Sequence, residues 1–166
     1  MDAKLKPHEI YPVAIRAELD AAAVYAELHG RVRNEALRQK LDFLAKEEGR
    51  HKAILERLFR DHFPGRELVV PAAVRRPKKP VSVDDATDVL DLFKLAMQKE
   101  KEAEAYYREA REKMEDPASR KVLEYLTRVE RSHYFMLKSE VALLEKFPDY
   151  YSAEGDDPLA LFHVGP

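Results

Sequence analysis

Four glutamates set into four otherwise apolar helical seams constrain this chain more than any other feature. A packed helix buries positions at alternating steps of three and four. On that spacing one segment reads Tyr11, Ala14, Glu18, Ala21, Tyr25, Leu28, and a second reads Leu37, Leu41, Leu44, Glu48, His51, Leu55, Leu58. A third reads Phe93, Ala96, Glu100, Ala103, Tyr107, Ala110, Met114, and a fourth reads Leu123, Leu126, Glu130, His133, Leu137. Each seam is apolar or aromatic except near its middle, where a Glu stands, followed in two segments by His three residues on. Burying an unpaired carboxylate costs several kcal/mol, so four in one core demand compensating positive charge. No Lys or Arg occupies these seam positions. Two divalent cations balance four carboxylates and leave neutral imidazoles as nitrogen ligands.

The chain also repeats itself at an offset of 82. Glu18 maps to Glu100, Ala21 to Ala103, Tyr25 to Tyr107, Asn34 to Asp116, Leu41 to Leu123, Leu44 to Leu126, Glu48 to Glu130 and His51 to His133. Each half reads E-x2-A-x3-Y and then E-x-x-H, with 30 residues between its two glutamates. A lone E-x-x-H carries little weight in a chain this rich in Glu; the doubled pattern carries much more. Position 33, midway between 18 and 48, adjoins Asn34, and position 115, midway between 100 and 130, adjoins Asp116. In an antiparallel hairpin both helices rise about 1.5 Å per residue, so residues equidistant from the turn share one height. Six side chains are thereby expected at one level of one bundle.

The helix ends follow from local signals. The first helix is expected from about His8 or Pro12 to Leu28, with Gly30 ending it. Asn34 caps the second, which Pro64-Gly65 stops after Phe63. Residues 64–82 hold four prolines and the basic run RRPKK, a linker composition. Ser82 and Asp85 resemble a capping box opening the third helix, which runs to about Met114. Asp116-Pro117 opens the fourth, which continues to Phe147, and residues 148–166 form an irregular tail. Short, long and short connections predict an all-α, ferritin-like antiparallel four-helix bundle over residues 1–147: two hairpins joined by one crossover. The 166-residue length suits one domain.

Composition narrows the chemistry. With no Cys there are no thiolate metal sites, iron–sulfur clusters or cysteine nucleophiles. A net charge of −2 gives no field for nucleic acid or an anionic membrane. There is no leader-like N-terminus or long apolar stretch, so a soluble, cytoplasmic protein is expected. Glu47, Glu102 and Glu104 fall off the seams and read as surface residues, as do His8, His29 and His62. His163 lies in the apolar tail segment LALFHV, expected to pack on its own bundle or a neighbour's. Gly49 sits inside a ligand-bearing helix, a place for close approach of another helix.

These residues resemble the rubrerythrin branch of the ferritin-like carboxylate diiron proteins, most closely in AMQKEKEAEAYY and LAKEEGRH, with likeness over roughly residues 8–147. The resemblance implies Glu18 and Glu100 as terminal ligands on opposite metals, Glu48 and Glu130 as bridges, and His51 and His133 completing one coordination sphere each. It also implies two departures. The family's usual rubredoxin domain needs cysteines that this chain lacks, and its extra Glu three residues after Glu100 is Ala103 here; Glu104 is the alternative carboxylate. Tyr25 and Tyr107, two turns from Glu18 and Glu100, are placed to hydrogen-bond ligand carboxylates across the bundle. Oxygen-rich two-histidine sites suit two Fe ions, or Mn. The expected activity is peroxidase-type oxidoreductase chemistry: a diferrous site reduces hydrogen peroxide or O2, and an external electron donor restores it. A homodimer is expected from the family. Ferroxidase and iron storage, manganese catalase-like disproportionation, and a metal-free helical interaction module are the rival readings.

Overall fold

The computed structural model describes residues 6–72 and 89–147. Four helices make up the secondary structure of those residues: α1 Pro7–Arg31, α2 Glu35–His62, α3 Val89–Lys113 and α4 Pro117–Lys146. Three-residue turns fold α1 against α2 and α3 against α4, as short connections between antiparallel neighbours do. The two hairpins then meet mainly through α1 and α3, while α2 and α4 approach each other less closely. This is the ferritin-like four-helix bundle. No helix among the described residues is long and apolar enough to cross a membrane.

Local chemistry sets most helix ends. The Asn34 side chain accepts from the Leu37 amide at 3.0 Å, and Asp116 accepts from the Ser119 amide at 2.6 Å. Each cap satisfies one of the first-turn amides that a helix leaves unpaired. Pro117 follows at the first helical position, where its missing N–H costs nothing. Phe63 ends α2, and Gly65 just beyond it takes a positive φ of 80°, which glycine adopts without strain. The expected stop at Gly30 is wrong. Gly30 is helical, and α1 runs to Arg31 with extended Val32 as its cap, donating to the Leu28 carbonyl. Glycine permits a left-handed cap but does not impose one, and buried Val32 anchors the chain one residue later. The expected capping box at Ser82, the RRPKK linker, and the tail with His163 lie outside the described residues.

The core forms two apolar layers. One, next to the α1–α2 turn, contains Val24, Leu28, Leu37, Leu41, Leu44, Leu92, Phe93, Leu137, Val141 and Leu144. The other, at the opposite end, contains Ile10, Tyr11, Ile15, Leu55, Phe59, Tyr107, Ala110, Met114, Leu123 and Leu126. All four helices feed each layer, and the 82-residue offset carries most of one onto the other. One seam position differs from the expected phase: α2 buries Phe59 rather than Leu58, which is only partly covered. A straight helix drifts about 20° per heptad from a 3.5-residue repeat, enough to change the inward residue by the end of α2. Between the layers lies a belt of polar side chains.

Candidate metal centre

One residue from α1, one from α3 and two each from α2 and α4 build this belt. Glu18, Glu48, His51, Glu100, Glu130 and His133 are all 3% exposed or less. The E-x-x-H spacing puts Glu and His nearly one turn apart, on the same face of α2 and of α4. His51 Nδ1 lies 3.3 Å from Glu18 Oε2, 3.2 Å from Glu48 Oε2 and 3.0 Å from Glu130 Oε1. His133 Nδ1 lies 3.3 Å from Glu48 Oε1, 3.5 Å from Glu100 Oε2 and 3.5 Å from Glu130 Oε2. The two imidazoles stack with centroids 5.7 Å apart.

The atoms fall into two overlapping groups able to hold a cation: Glu18, Glu48, His51 and Glu130, and then Glu48, Glu100, Glu130 and His133. Within each group the ligand atoms lie within 4.8 Å of one another, and Glu48 and Glu130 belong to both. Buried polar atoms without a hydrogen-bond partner concentrate here: Glu48 Oε1, His51 Nε2, Glu100 Oε2, Glu130 Oε1 and His133 Nδ1. Native cores rarely leave such atoms unpaired, because each costs about 1–3 kcal/mol. Carboxylate oxygens and imidazole nitrogens are the donors that iron and manganese take, so the residues present fit a pair of such ions.

Two tyrosines brace the belt across the hairpins. Tyr25 on α1 donates to Glu100 Oε1 on α3, and Tyr107 on α3 donates to Glu18 Oε1 on α1. In both glutamates Oε1 is held by a phenol, while Oε2 faces an imidazole. Burial pushes both phenols well above their ordinary value, so they remain neutral donors.

Ionisation within the belt divides by position. Burial pushes the Glu18 and Glu100 carboxyls well above the usual range. Glu48 and Glu130 are buried as well, but the two imidazoles beside them outweigh desolvation and hold them below it. Burial works against the charged imidazole too. Surrounding carboxylates outweigh it, led by Glu130 at His51 and by Glu100 at His133, and push both rings up to about 12. Without cations, therefore, both imidazoles are charged and lie against the central carboxylates.

The remaining candidate carboxylates lie elsewhere. Glu104 accepts from Arg131 at 2.6 Å, Glu47 pairs with Arg50, and Glu102 accepts from Gln98 at 3.0 Å; none joins either ligand group. Ala103 packs against the apolar layer. His8 stacks edge-on to Phe63, and His29 stands 3.7 Å from Asp42. His62 corrects the surface assignment: its ring bonds the Leu58 carbonyl, Asp116 and Ser119. Glu140, absent from the expected α4 seam, is 4% exposed and pairs with Lys40 of α2 at 2.5 Å. Its signal was present, since 123, 126, 130, 133, 137, 140 and 144 continue the three-and-four stepping. Gly49 admits no close neighbour, because a Cβ there would meet nothing within 4 Å.

Comparison with known proteins agrees with this architecture. A Pyrococcus furiosus protein described only as hypothetical is 32% identical, with a TM-score of 0.77 over 88% of this chain and 94% of that one. Rhodobacter capsulatus bacterioferritin, in a structure with a metal-free dinuclear site and haem iron, is 20% identical, with a TM-score of 0.71 over 100% of this chain and 98% of that one. At that identity it is similar in fold alone. No curated protein sequence matches the chain. The rubrerythrin family model matches residues 9–141, spanning both hairpins and all six belt residues, and the chain belongs to the rubrerythrin family.

Proposed function

We propose that this protein is a diiron oxidoreductase that reduces hydrogen peroxide with electrons from an external donor. One observation carries the reading: two ligand groups overlap in Glu48 and Glu130, each group completed by one further Glu and one His. With that layout Glu18 and His51 would hold one ion and Glu100 and His133 another, with Glu48 and Glu130 available to both. Iron bound there would supply the two electrons that, with two protons, convert one peroxide molecule to two water molecules.

The chain's own groups prepare that chemistry. Tyr25 and Tyr107 fix the outer carboxylates so that one oxygen of each stays turned to the centre. The apolar layers above and below exclude bulk water and strengthen every electrostatic contact between them. The sequence holds no Cys through which a thiolate-bound iron could return electrons, which favours an external donor in this reading. Ala103 offers no carboxylate at the position beside Glu100, so the two halves of the centre present the same ligand set.

The test has two stages. Protein purified without chelator should hold about two Fe per chain, and the Glu48→Ala/Glu130→Ala double variant should hold none. Anaerobic stopped-flow mixing of the diferrous protein with peroxide should then oxidise the iron far faster than free Fe(II). Oxidation no faster than free Fe(II) sinks the peroxidase reading. Two Mn with peroxide disproportionation lacking any reductant points instead to a catalase-like enzyme, and a hollow shell-sized oligomer to storage.

A further inference from the structure

A second polar cluster lies in the bundle, at the end where the crossover leaves α2. The Tyr11 hydroxyl donates to Ser119 Oγ at 3.0 Å, and Ser119 Oγ lies 3.1 Å from His62 Nε2. The same nitrogen is 3.0 Å from Asp116 Oδ2, and His62 Nδ1 is 2.8 Å from the Leu58 carbonyl. Tyr11 and Ser119 are wholly buried, while the His62 side chain is 29% exposed. The cluster thus joins α1, the last turn of α2 and the cap of α4, and it touches none of the six belt residues.

The internal repeat supplies a control for it. Tyr11, Ser119 and His62 correspond by the 82-residue offset to Phe93, Leu37 and Leu144, which pack in the apolar layer at the opposite end. The fold therefore closes with an apolar set at these three positions, and hydrogen bonds are not needed to shut a bundle end. What the polar set adds is a group that titrates near physiological pH. Both ring nitrogens of His62 face oxygen acceptors. A charged ring donates to both; a neutral ring can still donate to Leu58 and accept from the Ser119 hydroxyl, but it loses its charge-assisted bond to Asp116 and turns a lone pair toward that carboxylate.

We propose that His62, Asp116, Ser119 and Tyr11 form a proton-operated latch: charged His62 ties the end of α2 to the start of α4, and loss of its proton loosens that end of the bundle. The Leu58 carbonyl, and then Asp116, raise the imidazole above its ordinary value against the cost of desolvation. The charges acting on the ring are Asp116 from α4 and Asp61 from its own helix, both acidic. Bonds from Ser119 hold Asp116 down at about 2, so it is ionised throughout the working range. From α1 the ring meets Tyr11, a phenol that burial keeps neutral, and His8 packs on the adjoining Phe63. From α3 the thioether of Met114 reaches the Tyr11 hydroxyl. Because the folded-state value is raised, the latch is closed at low pH and opens as pH rises through that value.

The test uses full-length, metal-loaded protein, with Zn(II) in the belt for NMR. His62 should titrate above the ordinary imidazole value and drop toward it in Asp116→Asn. Wild type should melt about 2–4 °C above His62→Gln near pH 6, and that gap should close by about pH 9. The triple variant Tyr11→Phe/Ser119→Leu/His62→Leu, which copies the apolar end, should fold and share the flat profile of His62→Gln; it carries the comparison if the single variant does not fold. His62 titrating at or below the ordinary value, or wild-type and variant profiles running parallel throughout, would overturn the latch.

Discussion

The two ends of this bundle occupy equivalent positions of an internal repeat and are closed in different ways. At the α1–α2 turn, Leu37, Phe93 and Leu144 pack as an apolar plug, and the salt bridge between Lys40 and Glu140 joins α2 to α4 above it. At the other end Tyr11, Ser119 and His62 replace the plug with hydrogen bonds, and the counterparts of Glu140 and Lys40 are Leu58 and Val122, both partly buried against the core. The middle belt, by contrast, is the same in both halves residue for residue. Cation ligation demands a fixed set of donor atoms at fixed positions, whereas a bundle end needs only filled volume and satisfied polar groups. Equivalent positions therefore agree where chemistry is exacting and diverge where packing alone is required.

The largest effect tests the belt. Loading two divalent ions should expel protons from the belt, first of all those of His51 and His133, whose rings are pushed up to about 12. Affinity should accordingly fall as pH is lowered. Calorimetric titration in buffers of differing ionisation heat counts these protons, and a count near zero would show that the imidazoles are uncharged in the metal-free belt.

Next come the ends themselves. Leu37→Ala should cost about 2–5 kcal/mol through the cavity it leaves. Ser119→Ala, which leaves the Tyr11 hydroxyl with only the Met114 thioether, should cost about 1–3 kcal/mol. Urea unfolding of the two variants ranks the plug against the polar cluster, and the reverse order would show that the hydrogen-bonded end is the stronger one.

A smaller effect measures how alike the halves of the belt are. Tyr25→Phe and Tyr107→Phe each remove one phenol from one outer carboxylate, so each should weaken metal binding about 10–100-fold and by similar factors. Metal-binding constants differing between the two by more than tenfold would mean that the centre is functionally lopsided. Smallest of all, Gly49→Ala should stabilise the protein by about 1 kcal/mol, since the added methyl meets open space within a helix. A destabilisation in thermal melts would reveal a close neighbour in the assembled protein.

Local signals in the sequence mark where most elements begin and end. Asn34 and Asp116 were legible as caps because a cap depends on residues within one turn. Gly30 misled because a glycine after an apolar seam marks permission to stop, and the burial of Val32 was a tertiary fact. The belt residues were legible because the seams and the repeat each located them independently. His62, Ser119 and Tyr11 were not legible as a group: they come from positions 51 to 108 residues apart, and a Ser in a first turn reads as capping chemistry. Glu140 sits on the α4 seam beyond Leu137, but a charged residue there carries no apolar signal, and its partner Lys40 lies 100 residues away.

By itself, then, the sequence determined the helices, their phase and the level at which six polar side chains gather, because helical periodicity and hairpin symmetry are properties of spacing along the chain. Tertiary structure decided the rest. It selected Glu100 and Glu18 as the partners of Tyr25 and Tyr107, paired Lys40 with Glu140 and brought His62 to the cap of another helix. Those contacts depend on how two hairpins rotate and settle against each other, and side chains far apart in sequence leave no periodic trace of where they will meet.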